Sequence, residues 1–413
     1  MTTAPVSVSI VIVSRHRPKA LRRCLTGVEQ LQYTPFEVIV VADPAGLAVA
    51  RSLPFAAALK LVAFDEPNIS AARNLGIAQA AAEVVAFIDD DAVPEPQWLR
   101  YLMAPATDPA VAAFTGFVRG RNGISFQYQA RRLNAWGIAE ALPLDPAAPT
   151  VLPAPATGAI KTEGTNMAFR RDVLLDLGGF DPAFHYFLDE TDLNMRLARA
   201  GHATAIAPLA EVHHGFAANA MRNAKRVPQD LYDIGASWAV FQRKHIPQPD
   251  RAAHWAQRRQ EDRQRLLRHL LSGGLEPRDV TRLLGRLDEG YAEGQTRVFG
   301  PQSVAQASEM FRAFPARKRK SSLIGTRPWR LSQDRAAAAK RVARGEIVTL
   351  VCLSPTLFYH RLSFQSEEGI WLQRGGIYGK SLRNTALFRR ISRKTRVLIE
   401  AKRIACQRGL SDD

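Results

Sequence analysis

Four short apolar runs, rich in β-branched residues, alternate with helical stretches in the first part of the chain. The runs are Val6 to Val13, Phe36 to Ala42, Leu59 to Phe64 and Glu83 to Ile88. Pro18 stands where a first helix would begin, and Asn68 can cap a later helix over Ala71 to Ala82. Short strands that alternate with helices predict an α/β fold with a mostly parallel, doubly wound sheet.

Polar residues follow three of these predicted strands. Ser14-Arg15 ends the first, Asp43 ends the second, and the run Asp89-Asp90-Asp91 ends the fourth. Doubly wound sheets bind ligands beyond the carboxyl ends of their strands. We therefore expect one binding site at this rim.

The aspartate run predicts a divalent metal. Mg²⁺ and Mn²⁺ prefer carboxylate oxygens and complete their coordination with phosphates and water. Three consecutive acids are also common in solvated turns and helix caps. The apolar strand VVAFI directly before them, and Asp43 on the same rim, favour the metal.

A second acidic cluster, Asp189-Glu190-Thr191-Asp192, opens a predicted helix. A carboxylate across the substrate from a metal can remove a proton from an attacking hydroxyl. Acids in a first helical turn are also stabilised by unpaired backbone N–H groups and the helix dipole. Position alone leaves both interpretations open.

Six motifs in order carry a family resemblance: VSIVIVSRHRP, VIVVADP, PNISAARNLG, FIDDD, GTNMAFRR and FLDETDLNMRLARAG. Over residues 6 to 215 the chain resembles a family 2 glycosyltransferase with the GT-A fold. The resemblance implies transfer of a sugar from a nucleotide-diphospho-sugar, with UDP as the expected nucleotide, to an acceptor hydroxyl. It also implies Mn²⁺ or Mg²⁺ and inversion at the anomeric carbon.

The resemblance assigns roles to individual residues. Asp43 would read the base although Pro44 departs from the pattern, Ser14 and Arg15 would lie beneath it, and Arg73 and Asn74 would lie beside the ribose and diphosphate. Asp89 and Asp91 would be the important acids, with Asp91 nearest the metal and Asp90 shaping the turn, while Thr165 and Asn166 would line the sugar or acceptor pocket.

The resemblance also suggests a base and a further metal ligand. Glu190 is favoured as the base by position, with Asp189 the alternative and Asp192 an acceptor-side or structural contact. In similar enzymes a histidine near His213-His214 joins the metal or diphosphate site. Of the two, His213 is preferred.

The chain divides into three predicted regions: a GT-A domain over 1–228, a helical region over 229–310, and a basic β-rich and helical extension over 311–413. Arg317 to Lys320 marks the expected linker. Alternation between Glu346 and Ile377 predicts an antiparallel meander, followed by a helix over Thr395 to Arg408.

Positive charge is concentrated in the extension. The whole chain carries +17, and from Phe311 onward 23 Lys and Arg stand against 7 Asp and Glu. A localised positive field attracts anionic partners. The extension is expected to contact anionic membrane lipid near a lipid-linked glycan acceptor, or else to be an extra domain with a solvated face.

Two rival functions are disfavoured. A nucleic-acid-binding protein lacks support because the basic tail has no base-reading motif. A nucleotidyltransferase usually has a glycine-rich phosphate loop after the first strand, where this chain has SRHRP. No secretory leader or apolar stretch of about eighteen residues is present. These features predict a cytoplasmic enzyme of bacterial surface-glycan synthesis, peripheral to the inner membrane face.

Overall fold

The computed structural model describes residues 4–215, 221–300, 303–304, 310–385, 388 and 390–410. Its strands are β1 Val8–Ser14, β2 Phe36–Ala42, β3 Leu59–Ala63, β4 Val84–Ile88, β5 Ala92–Pro94, β6 Val111–Arg119, β7 Phe126–Tyr128, β8 Arg131–Leu133, β9 Ala139–Ala141, β10 Thr150–Leu152, β11 Ala159–Ile160, β12 Asn166–Arg170, β13 Ala203–His214, β14 Ser321–Thr326, β15 Ile347–Ser354, β16 Arg361–Gln365 and β17 Ile370–Gly376. Its helices are α1 Pro18–Val28, α2 Pro44–Arg51, α3 Ile69–Gln79, α4 Trp98–Leu102, α5 Arg171–Asp176, α6 Asp189–Arg199, α7 Tyr232–His245, α8 Gln248–Leu271, α9 Pro277–Gly294, α10 Leu331–Ala343 and α11 Arg393–Arg408.

Ten of these strands form one large sheet. Its order is β10-β13-β6-β12-β4-β1-β2-β3, with β5 beside β13 and β7 beside β6. The pairs β1–β2, β1–β4 and β2–β3 are parallel, which confirms the predicted α/β class. The four predicted strands match the observed ones to within two residues at either end.

Helices cover both faces of the large sheet, because its strands are apolar on both sides. Ile10 and Ile12 of β1 pack with α1, α2 and α4 in one core cluster. Val11 faces the other way and packs with α3, α5 and α6. Successive side chains of a strand point to opposite faces, so one apolar run supplies both cores.

Strand β12 runs antiparallel between β4 and β6, a departure from the parallel pattern. Asn166, its first residue, is in register with Ile88, the last residue of β4. An antiparallel neighbour begins where its partner ends. Thr165 and the loop before β12 therefore reach the rim where the aspartates lie.

The predicted antiparallel meander is wrong. In the second sheet, with order β14-β15-β17-β16, the pairs β14–β15 and β15–β17 are parallel and β16 alone is antiparallel. The sequence prediction missed β14 and α10, the helix that connects β14 to β15. Parallel neighbours need such a crossover, whereas a meander does not.

The helical region contains α7, α8 and α9. Residues 301–302 and 305–309 at its predicted end lie outside the described residues. The predicted C-terminal helix is confirmed as α11. Within the described ranges, no helix has both the length and the apolar character needed to cross a bilayer.

Candidate functional site

The rim formed by the ends of β1, β2 and β4 is held by its own hydrogen bonds. The Asp43 carboxylate accepts from the backbone N–H groups of His16, at 3.1 Å, and Ala45, at 3.2 Å. It therefore caps α2 and links the loops that follow β1 and β2. Its reading of a nucleotide base stays a prediction.

Asp90 is fully buried beneath the same turn. Its carboxylate accepts from the Ser14 hydroxyl, at 2.6 Å, and from Nε of Arg17, at 3.0 Å. Burial raises the pKa of Asp90 to about 7, although the charge of Arg17 opposes the rise. Asp90 and Ser14 thus shape the turn that presents the flanking aspartates.

Asp89, Asp91 and His214 form a candidate metal centre. One ligand atom from each lies within 4.8 Å of the others. Nδ1 of His214 lies 2.9 Å from the amide oxygen of Gln127 and donates to it. Nε2, the other ring nitrogen, lies 3.2 Å from a carboxylate oxygen of Asp91. Imidazole nitrogens and carboxylate oxygens are both ligands that divalent cations use.

His213, the preferred histidine of the sequence prediction, lies on the opposite face of β13. Its Nε2 is 2.7 Å from Glu95 and its ring centroid is 5.1 Å from that of Trp371. Burial lowers the pKa of His213, and Glu95 opposes this. Adjacent strand residues face opposite ways, so His213 and His214 cannot both reach the rim. The structure brings His214 to the aspartates instead.

Arg73 connects the metal centre to the second acidic cluster. Its guanidinium forms an ion pair with Asp189, donates to the carbonyl of Gly164 at 3.3 Å and lies 3.6 Å from Asp89. Thr165 donates to the other Asp89 oxygen at 2.6 Å. The residues predicted from α3, β4 and α6 therefore meet at one place.

Glu190 accepts from Nζ of Lys161 at 2.7 Å. Burial favours the neutral acid, but the charge and hydrogen bond of Lys161, together with Arg73 and a backbone hydrogen bond, outweigh it and lower the pKa of Glu190 to about 2. Burial raises the pKa of Asp189 to about 7 despite the opposing charge of Arg73. Sequence reasoning missed Lys161, because a single lysine before GTNMAFRR carries no local signal.

Three predicted site residues form their contacts away from the candidate metal centre. Asp192 is fully buried and contacts Arg196, Lys244 and His245. The side chain of Asn74 holds the backbone of Phe180 at both its N–H and its carbonyl. The fully buried Asn166 bonds to Trp98 and to the carbonyls of Phe117 and Ala210. Each of the three supports a fold contact.

A cavity of about 640 Å³ opens above the metal centre. Among the residues that line it are Asp89, Asp91, His214, Arg73 and Glu190. A smaller, more apolar cavity of about 270 Å³ adjoins it and shares Ile69 and Tyr186. Ser14 and Arg15 line the smaller cavity, whereas Asp43, predicted to read the base, is not among its lining residues.

Comparisons with known proteins show which family the chain is similar to. A family model described as glycosyltransferase like family 2 matches residues 5–230. The pre-mycofactocin glycosyltransferase of Mycobacterium tuberculosis (strain H37Rv) is 29% identical over 214 residues, which is 50% of this chain and 42% of that protein. The O-antigen biosynthesis protein RfbC of Myxococcus xanthus is 27% identical over 255 residues, 57% of this chain and 19% of that protein. The chain thus spans less than half the length of these curated relatives.

One similar solved structure is titled GalNAc-T7 with UDP, GalNAc and Mn2+. It is 18% identical, with a TM-score of 0.42 over 51% of this chain and 44% of that one.

Fold and site together define an α/β protein with a candidate cation site at the carboxyl ends of parallel strands. The family model covers more than half of the 413 residues. The chain belongs to glycosyltransferase like family 2, and the predicted family and GT-A fold class are confirmed.

Proposed function

We propose that this chain is a metal-dependent, inverting glycosyltransferase that moves a sugar from a nucleotide-diphospho-sugar to a hydroxyl of a glycan acceptor. One observation carries the proposal. Asp89, Asp91 and His214 converge on one cavity wall, while Glu190 lines the same cavity. A cation site and a candidate base facing one space are the two elements that such a transfer needs.

Two carboxylates and one neutral imidazole are a suitable donor set for Mn²⁺ or Mg²⁺. When bound, the cation supplies Lewis-acid stabilisation of the diphosphate leaving group. Arg73 adds a fixed positive charge beside Asp89. The apolar cavity beside Ser14 and Arg15 is where the nucleotide base would lie.

Glu190 is the proposed base. Its side chain is 20% exposed, whereas that of Asp189 is 4% exposed and paired with Arg73. Lys161 keeps Glu190 ionised and orients it. A carboxylate that takes the acceptor proton as the hydroxyl attacks from the side opposite the diphosphate produces inversion. A role in surface-glycan synthesis is proposed from the similarity to the O-antigen biosynthesis protein RfbC of Myxococcus xanthus.

Titration calorimetry tests the donor site. The chain should bind UDP or GDP in the presence of Mn²⁺, and Asp91→Asn should reduce metal-dependent binding by at least about tenfold, the effect of losing about 1.4 kcal/mol. Asp108→Asn, an exposed aspartate outside the cavity, is the matched control.

The proposal fails if neither nucleotide binds the folded wild-type chain at any Mn²⁺ concentration. Once the nucleotide is known, NMR of the product reports its anomeric configuration. Retention of configuration would remove Glu190 as the base of a single displacement.

A further inference from the structure

The second sheet carries an arginine-lined cleft that the proposed transfer reaction does not use. Helix α10 covers part of one sheet face through Leu350, Leu372 and Ala338. Beyond this helix the same face is open over β16 and β17. The resulting cleft has a volume of about 740 Å³.

Two exposed arginines stand directly opposite each other in this cleft. Arg361 of β16 is the cross-strand partner of Arg374 of β17. Like charges at such positions destabilise a sheet. No described residue that lines the cleft is acidic, and Arg121 adds a third positive charge. An anion between these side chains would relieve the repulsion.

Aromatic side chains border the arginines. Phe358 is 72% exposed and Tyr359 is 49% exposed, and both line the cleft. The Arg383 guanidinium lies 4.6 Å from the centroid of the Tyr359 ring. Exposed flat rings beside charge-bearing groups suit the apolar faces of sugar rings that carry anionic substituents.

The cleft is connected to the main cavity by further basic residues. The loop after β6 docks on β16, where the Leu362 N–H donates to the Asn122 carbonyl at 2.8 Å. In the same loop Arg121 donates to the carbonyl of Ala224. Arg222 and Arg226, on either side of Ala224, line the main cavity. Basic side chains therefore lie between the cleft and the main cavity.

We propose that this arginine cleft binds an anionic glycan, whose carboxylate or phosphate groups lie between Arg361 and Arg374 while its acceptor end reaches the main cavity. The inference rests on the proposed function and adds an acceptor class to it. A concave cleft, with basic side chains between it and the proposed transfer site, favours a glycan over a bilayer or a nucleic acid.

Calorimetry with defined probes tests the proposal. Tetragalacturonate carries carboxylates, pentamannose phosphate carries a phosphate, and maltotetraose is neutral. At least one acidic probe should bind the full chain, and maltotetraose should bind at least about tenfold more weakly. The acidic probe that binds identifies which of the two anionic groups the cleft accepts.

The variant is Arg361→Gln/Arg374→Gln, and the matched control is Arg51→Gln/Arg100→Gln, which removes the same charge from exposed positions outside the cleft. The cleft variant should lose at least about tenfold in affinity for the acidic probe, and the control less than about twofold. Without ligand the cleft variant should melt no lower than wild type, because a repulsive pair has been removed.

Equal losses in both variants, or no binding of either acidic probe, would overturn the proposal. So would tighter binding of phosphatidylglycerol vesicles or a single-stranded oligonucleotide that depends on the same two arginines. UDP and GDP, each with Mn²⁺, are titrated into the same variants. If a nucleotide binds but the cleft variant binds the acidic probe as tightly as wild type, only the cleft proposal is overturned. If the acidic probe binds through the two arginines but no nucleotide binds, only the proposed function is overturned.

Discussion

Asp189 and Glu190 are adjacent in sequence, yet each has its own basic partner. Arg73 from α3 pairs with Asp189, and Lys161 pairs with Glu190. The two cations approach from different parts of the chain, while the carboxylates stay close enough for Glu190 to help raise the pKa of Asp189. The more exposed Glu190 lines the main cavity, and Asp189 pairs with Arg73.

Lys161→Met should shift the acidic limb of the kcat/KM profile to higher pH. With Lys161 present, the pKa of Glu190 is about 2, below its ordinary value of 4.5. The stabilisation from this pair is therefore complete above about pH 4.5 and is lost as pH falls towards 2. Without the ammonium, burial raises the pKa of Glu190.

The measurement is a pH–rate profile with the donor that calorimetry identifies. Lys394→Met, at an exposed lysine of α11, is the control and should leave the profile in place. An unchanged acidic limb in Lys161→Met would show that Glu190 is not the titrating base.

At the scale of elements, β12 and β13 decide which polar residues reach the rim. Strand β13 presents His214 to the aspartates and His213 to the second sheet. Strand β12 begins with Asn166, whose amide joins α4, β6 and the middle of β13. One asparagine therefore ties β13, the strand that carries His214, to α4 and β6.

Asn166→Ala should lower the free energy of unfolding by about 2–4 kcal/mol. The substitution removes three buried hydrogen bonds and leaves the indole N–H of Trp98 and two carbonyls without this partner. Urea unfolding measures the change. Asn384→Ala, at an exposed position, should change stability by less than about 0.5 kcal/mol. A small effect at Asn166 would mean that other groups replace its bonds.

At the scale of the whole molecule, side chains of the C-terminal extension are buried against the region that carries the large sheet. The fully buried Arg408 of α11 donates twice to Glu95, at 2.8 and 2.9 Å, and lies over the ring of Trp371. Gln407 donates to Glu211 of β13, and Trp371 donates to Gln30, which follows α1. Arg396 and Arg408, which the membrane hypothesis for α11 would place at a surface, are buried.

Arg408→Met should destabilise the chain by about 3–5 kcal/mol, because it leaves Glu95 buried without its arginine. Arg408→Met/Glu95→Gln should recover most of this loss, since no unpaired charge is left behind. Thermal unfolding of both variants measures the difference. A double variant as unstable as the single one would assign the loss to packing rather than to the buried charge.

The sequence alone determined the α/β class, the first four strands and the meeting of polar residues at one rim. These follow from local information, because buried parallel strands need continuous apolar runs and their loops must begin with polar residues. The acidic helix start was also visible locally. The family resemblance, which the family match later confirmed, came from the same short motifs.

Tertiary structure decided the rest. The choice between His213 and His214 depends on the register of β13 against β5 and β6, and one residue of register exchanges their faces. Lys161 gains its role through a contact with α6, 29 residues further along the chain. The arginines of α11 look solvated in sequence, but Arg408 is buried in an ion pair with Glu95. Each outcome depends on a partner distant in sequence, which local pattern does not record.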